Sequence, residues 1–200
     1  MKNSKLQKML KAHKIWIDSN KKQGEPANFC GAIIREVDFR EADLRGSNFR
    51  GCVLSGCDFY GCVLSGCDIS ESDLRGVNFR KADLRGSDFS GSDILESNFC
   101  ETDCYKAKFC EVDLRGSDIR RANFLKPIFA DPIFADPILV DPIFVNPISM
   151  NAIFMAPIFV EQLFVELIFA ESMFVKPILI FSVGAWSMAK RTVITVTGPW

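Results

Sequence analysis

The sequence predicts an all-β solenoid that turns a corner every five residues. From residue 27 to residue 125 an apolar residue returns at every fifth position, twenty times in succession, with one Cys among them. The series runs from Phe29, Ile34, Phe39 and Leu44 to Leu114, Ile119 and Phe124. Two residues before each centre, here called position i, stands a small side chain: Ala27, Ala32, Val37, Ala42, Ser47, Cys52 and onward to Ala122. The residue between them is Asp or Asn in sixteen of the twenty repeats, and the residue at i+2 is Gly in ten. A spacing of five fits neither the 3.6-residue helical period nor a simple strand alternation. A long helix would smear such a pattern around its axis, whereas a chain with a corner in every repeat keeps it on one side. Alternate residues of an extended segment share a face, so i and i-2 point inward and i-1 points outward. Glycine at i+2 suits the bend, because it accepts backbone angles closed to other residues.

The units Ala42-Asp43-Leu44-Arg45-Gly46 and Ala82-Asp83-Leu84-Arg85-Gly86 resemble the consensus of the pentapeptide-repeat family, A-(D/N)-L-x-x. The resemblance spans residues 27–125, about half the chain. It implies a right-handed quadrilateral β-helix with four repeats per coil, hence five coils. At about 4.8 Å between stacked strands the rod would stand roughly 24 Å tall. The large residues at i and the small ones at i-2 would form alternating internal layers, and each coil would be stabilised by its neighbours.

Residues 1–26 lead into this rod. Leu6, Met9, Leu10, His13, Trp16 and Ile17 follow helical spacing, which predicts an amphipathic helix from Ser4 to about Asn20. Ser4 is the expected N-cap, and Gly24 and Pro26 the expected stop. The stretch His13-x-x-Trp16-x-x-Ser19, followed by Gly24 and Ala27, resembles a lead found in many bacterial and phage members of the family. The expected role is an N-terminal capping α-helix over the first coil, whose strand edges would otherwise be open.

Residues 126–180 keep the period but change the alphabet. They read P-I-F-A-D, P-I-F-A-D, P-I-L-V-D, P-I-F-V-N, with Pro at i-2 and Ile at the outward i-1. The genetic code links the two regions. CTT CGC GGA TCC GAT CTT spells L-R-G-S-D-L, close to Leu114–Ile119; read one base later it gives F-A-D-P-I and then Phe or Leu, as in Phe129–Phe134. A single-base slip near Leu125 would therefore turn further pentapeptides into this tail; the alternative is a genuine Pro-rich hydrophobic extension, and sequencing of the gene separates the two. Pro at i-2 loses the hydrogen bond its amide would donate, and outward Ile128, Ile133, Ile138 and Ile143 would expose apolar surface. The tail is thus expected to be less ordered than the in-frame coils or to extend them imperfectly. The uncharged stretch 142–160 is long enough for a membrane helix, but Pro142, Pro147 and Pro157 oppose one, so no membrane span is expected. Residues 181–200 carry no readable motif.

The bulk numbers are restrained: 200 residues, net charge -1, eight Cys, one His. No continuous apolar segment near Met1 reads as a signal peptide, and the cysteines share positions with Ala, Ser and Val. They read as reduced thiols of a cytoplasmic protein. Cys52, Cys57, Cys62 and Cys67 fill i-2 of four successive repeats and should ring one coil. Four thiols in a layer raise the question of zinc, but the spacing suits buried small residues better, and no metal or cofactor is expected. With a single His, a His-dependent triad is excluded. The eleven Asp at i-1 come with the repeat rather than as a dedicated acid–base pair, and no phosphate-cradling loop occurs. The chain is expected not to be an enzyme.

Two functional classes follow. The first is a scaffold that binds a protein partner through its outward faces, with Tyr60, Arg75, Arg80, Arg85 and Arg120 as the contact candidates; direct nucleic-acid binding is not expected. The second comes from the family resemblance, since some members resemble a DNA duplex in shape and charge and bind bacterial DNA gyrase or topoisomerase. Such mimicry needs dense negative charge. Residues 28–125 hold seventeen acidic against thirteen basic side chains, and Arg45, Arg75, Arg85 and Arg115 should neutralise neighbouring Asp. A frameshifted copy without function is the third reading.

Overall fold

The computed structural model describes residues 1, 3–130, 132 and 133, together with the backbone of three-residue strands from Ile133–Ala135 to Ile178–Ile180. The chain winds as a four-sided β-helix with twenty residues per turn. One parallel column shows the register along its whole length: Asn28, Asn48, Asp68, Asp88 and Lys108, then Ile128, Ile148 and Ile168, each twenty residues from the last. The repeats centred on Phe29, Ile34, Phe39 and Leu44 begin the first, second, third and fourth faces.

Most in-frame repeats make the same backbone bonds, with departures such as Ser72 N–H, which donates to Ser92 Oγ. Phe29 N–H donates to the Asn48 carbonyl at 2.7 Å, Gly31 N–H to Arg50 at 2.9 Å, and Asn48 N–H back to Ala27 at 2.9 Å. The corner is closed within the repeat, as where Cys52 N–H donates to Phe49 C=O at 3.1 Å. This turn requires a positive φ at its third residue. All twenty i+2 residues have one: the ten glycines, and ten Glu, Lys or Arg such as Glu41 (φ 58°) and Lys81 (φ 61°). The expectation that glycine serves the bend therefore holds, but the bend does not depend on it. A side chain in the left-handed region is disfavoured by about 1–2 kcal/mol, a cost spread over a ladder that fixes the corner on both sides. Where glycine does stand, the coil below can use the space. The Glu41 carboxylate lies across Gly61, and a Cβ there would meet it at 2.5 Å.

The core accounts for ten of the eighteen Phe, all of those among the described residues. Because Phe and aliphatic centres alternate along the chain, every second face carries Phe. Phe29, Phe49, Phe89 and Phe109 lie on the first face; Phe39, Phe59, Phe79 and Phe99 oppose them on the third. Rings stack along each face, as Phe29 on Phe49 at 4.6 Å and Phe89 on Phe109 at 4.9 Å. Across the axis they meet edge to face, as Phe49 and Phe59 at 5.8 Å. Both arrangements are favourable for aromatic quadrupoles. Leu54, Leu64, Leu74 and Leu84 fill the two remaining sides, all essentially inaccessible to solvent.

The lead helix, α1, spans Asn3–Asp18. It starts one residue before the expected N-cap, so Ser4 is inside the helix. The amino group of Met1 donates to the Ile33 carbonyl, which holds the start of the chain on the first coil. The helix also ends earlier than Gly24 and Pro26 suggest. Asn20 and Lys21 turn left-handed, and Lys21 N–H closes on the Trp16 carbonyl at 2.7 Å, a C-terminal motif that stops a helix without glycine. Gly24 instead allows close approach: a Cβ there would lie 2.3 Å from the Ala12 carbonyl. Leu6 and His13 are buried, and Met9 and Leu10 pack on the core.

Beyond residue 127 the strands keep the twenty-residue register in four ladders, for example Asn123–Leu125, Ile143–Val145 and Leu163–Val165. They pair over three residues, whereas most in-frame repeats pair at one. The tail's side chains after Ile133, its linking residues and residues 181–200 lie outside the described residues, as does the expected loss of order there. Among the described residues no helix is long and apolar enough to cross a membrane.

Candidate functional site

What the rod offers to solvent is set by the repeat's bonding. Of the five amides in an in-frame repeat, the one at i+1 has no partner in the ladder or the corner. The side chain at i-1 accepts it: Asp38 Oδ1 from Arg40 N–H at 2.9 Å, Asn48 from Arg50 at 2.9 Å, Asp103 from Tyr105 at 3.1 Å. Asp and Asn are short enough to bond the backbone two residues on. Their frequency at i-1 therefore comes from capping an amide, a role the sequence reading missed by treating them only as an outward carboxylate array. The signal was present, since Asn serves as well as Asp, and only a carbonyl oxygen is common to both.

Arginine at i+1 closes the same unit. Arg75, Arg85, Arg115 and Arg120 each hold Asp73, Asp83, Asp113 and Asp118 through Nε and Nη2, with the shorter contact at 2.5–2.6 Å. Such forked pairs are the strong form of the ion pair. The bond from Arg40 brings Asp38 down to about 2, and Arg75 lowers Asp73 in the same way. The neutralisation expected for Arg45, Arg75, Arg85 and Arg115 thus occurs inside single repeats.

The five contact candidates do not form one cluster. Tyr60, Arg80 and Arg120 share the third face, where Arg40, Tyr60, Arg80, Cys100 and Arg120 form a single column at i+1. Arg75 lies on the second face and Arg85 on the fourth. Arg80 differs from the others because i-1 is Asn78, not Asp. It reaches instead to the next coil, where Nη2 meets Glu101 Oε1 at 2.9 Å. Lys81 joins Glu101 at 3.8 Å and sits 5.8 Å from the Tyr60 ring. Between Arg80 and Arg120 the short side chain of Cys100 leaves a notch of about 400 Å³, also lined by Asn98, Glu101 and Arg121.

The inner thiols have a different chemistry from the one that zinc would require. Cys52, Cys57, Cys62 and Cys67 donate to the carbonyls of Phe29, Ile34, Phe39 and Leu44 on the coil below, at 2.8–3.2 Å. Burial pushes Cys52 and Cys57 up to about 11, and Cys62 and Cys67 up to about 12. They are protonated donors at neutral pH. Ser72, Ser87, Ser92, Ser97 and Ser117 make the same inter-coil bond. Ser47 has no such partner, because its acceptor would sit at residue 24, before the coils begin.

His13 joins the lead to the rod. Nδ1 accepts the Ala27 amide at 3.0 Å and the ring stacks on Trp16 at 5.5 Å. Burial lowers its pKa, opposed by Asp43. No group of three or more potential metal ligands exists among the described residues.

Comparison with known proteins follows the repeat. A family model described as a pentapeptide repeat region matches residues 32–109, and one for pentapeptide repeats in eight copies matches residues 95–124. No curated protein sequence matches. Solved structures similar to the chain include HetL, a pentapeptide repeat protein involved in heterocyst differentiation regulation in the cyanobacterium Nostoc sp.. It is 18% identical over 74% of this chain and 76% of that one, with a TM-score of 0.40. A pentapeptide repeat protein from the Arabidopsis thaliana thylakoid lumen is 30% identical over 49% of this chain and 61% of its own, with a TM-score of 0.29. QnrB1, a plasmid-mediated fluoroquinolone resistance protein, is 15% identical over 74% and 84%, with a TM-score of 0.41.

Proposed function

The chain belongs to the pentapeptide-repeat family, and from that premise we propose that it is a non-catalytic cytoplasmic scaffold that holds a protein partner on its outward faces. One observation carries the proposal: among the described residues, most of the polar groups the repeat places regularly are already engaged by the fold. The i-1 carboxylates cap amides, the i+1 arginines neutralise them, and the inner thiols and hydroxyls bond the coil below. Among the described residues, no acid, base and nucleophile are brought together for chemistry. What varies from repeat to repeat is the outward side chain at i+1, as suits a solenoid that binds along its surface.

The same pairing weakens the alternative of a DNA-like rod for DNA gyrase. Mimicry needs uncompensated charge, and here Asp38, Asp43, Asp73, Asp83, Asp113 and Asp118 each face an arginine in the same repeat. Purified protein tested in a gyrase supercoiling assay should neither inhibit the enzyme nor protect it. Inhibition at micromolar protein would reverse the ranking of the two.

The lead helix is read as the cap of the first coil, standing where a preceding coil would stand. Its docking should weaken in acid. A His pKa lowered by burial means that the docked state is fully favoured above 6.5 and loses ground as pH falls below it. Trp16 fluorescence, in a Trp186→Phe, Trp200→Phe background, should shift between neutral and acidic pH. His13→Gln should remove that dependence, and an unaltered profile in the variant would reject His13 as the latch.

A further inference from the structure

We propose that the notch around Cys100 on the third face is a carboxylate-binding subsite, and that it receives an acidic segment of the partner protein. The proposal rests on the scaffold reading and names the partner's chemistry. Along the third face the column reads Arg40, Tyr60, Arg80, Cys100, Arg120, so a short thiol stands between two long guanidinium side chains. At i-1 the same stretch carries Asn78 and Asn98, where the other faces mostly carry Asp. These two still cap the amides of Arg80 and Cys100, at 3.1 and 2.9 Å, but bring no negative charge. The region around the notch therefore holds Arg80, Lys81, Arg120 and Arg121 against Glu101 and Asp118. It is a positive patch on a rod that is negative as a whole.

The arrangement already binds one carboxylate. Glu101 takes Arg80 at 2.9 Å and Lys81 at 3.8 Å, and its pKa is lowered by Arg80 first, then by Lys81 and Arg121. Arg120 is oriented by Asp118 through a two-pronged pair. Two oriented guanidinium groups on either side of a concavity of about 400 Å³ give a second carboxylate room to enter above Cys100. Planar, forked donors of this kind favour carboxylates over diffuse negative charge. Tyr60, one coil below Arg80, supplies an apolar rim for the neighbouring part of a peptide.

The test uses a fluorescein-labelled polyglutamate peptide and the full chain at low salt. Anisotropy should show binding that weakens as salt is raised, because exposed charges are screened. The double variant Arg80→Gln, Arg120→Gln should bind about tenfold more weakly. The matched pair Arg75→Gln, Arg115→Gln, on the second face with the same loss of charge, should change affinity by less than about twofold. Melting temperatures of both variants should match the parent, since all four arginines are exposed. Peptide should also slow alkylation of Cys100 and leave that of Cys30, on the first face, unaffected. Equal losses in the two double variants, no slowing at Cys100, or no binding at all would overturn the notch. A partner protein that binds the Arg80→Gln, Arg120→Gln variant with unchanged affinity would overturn the notch and leave the scaffold standing. Polyglutamate bound at Cys100 by a rod that holds no protein would do the reverse.

Discussion

The coils before residue 126 and the strands after it share one register but not one set of bonds. The column from Asn28 to Ile168 crosses the boundary without a slip. Yet an in-frame corner such as Ala82 N–H to Phe79 C=O, 2.9 Å, has no counterpart where Pro127 follows Phe124, because proline has no amide to donate. The outward Asp that caps the i+1 amide is replaced by Ile128 and Ile133, which accept nothing. The backbone register thus persists with an apolar centre at nearly every fifth residue, and it passes through Ser149, paired with Phe129 and Phe169. Backbone amides close the corners, and the polar side chains satisfy the amides left over and keep the faces wet. A one-base slip, if the gene carries one, would preserve the first property and destroy the second.

Moving single features of the tail into the in-frame rod tests that separation. The largest effect expected comes from the shared property. Phe79→Ala removes a fully buried ring stacked between Phe59 and Phe99, and should cost about 3–5 kcal/mol in urea unfolding. A loss below about 1 kcal/mol would mean that the rings do not carry the register. Ala82→Pro imports the tail's corner. It deletes the bond to Phe79 and places proline after Lys81, whose left-handed backbone is a poor neighbour for it. About 2–4 kcal/mol should be lost, and a neutral result would show that corners close without this bond.

Asp83→Ile imports the tail's outward residue. The Arg85 amide loses its acceptor, at 3.1 Å in the parent, for a cost of about 1 kcal/mol. Asp83→Asn should recover most of it, because the amide oxygen accepts as the carboxylate does. If Asn is as harmful as Ile, the ion pair and not the cap explains the residue.

The smallest effect concerns the buried thiols, and it is a matter of pH. Their folded pKa values, about 11 for Cys52 and Cys57 and about 12 for Cys62 and Cys67, lie above the ordinary 9. Their contribution is therefore intact below pH 9 and is lost as pH rises through 11 to 12. Replacing all four by Ser should flatten the alkaline side of the stability profile. Alkylation at neutral pH should modify Cys30, which is exposed, well before these four. Equal rates would place the ring near solvent.

Much of the architecture was legible because the chain repeats itself: twenty centres at one spacing leave few ways to bury them. The layers, the inward Phe and the Arg–Asp neutralisation followed from residue order. The helix end was legible to within two residues of Asp18, but how the helix stops was not: Asn20 and Lys21 turn left-handed, while Gly24, the obvious stop, serves close approach to Ala12. The purpose of Asp at i-1 was signalled only by its exchange with Asn, and the amide it caps can be seen only once every other amide has been assigned.

By itself, the sequence determined the five-residue corner and the apolar axis, since a period is a one-dimensional property. Only the tertiary structure decided which of the five candidate contact residues stand together. Tyr60, Arg80 and Arg120 are twenty or forty residues apart and lie in one column; Arg75 and Arg80 are five apart and lie on different faces. The physical reason is the winding itself, which separates neighbours in the chain by a right-angled corner and stacks residues a full turn apart at the spacing of hydrogen-bonded strands.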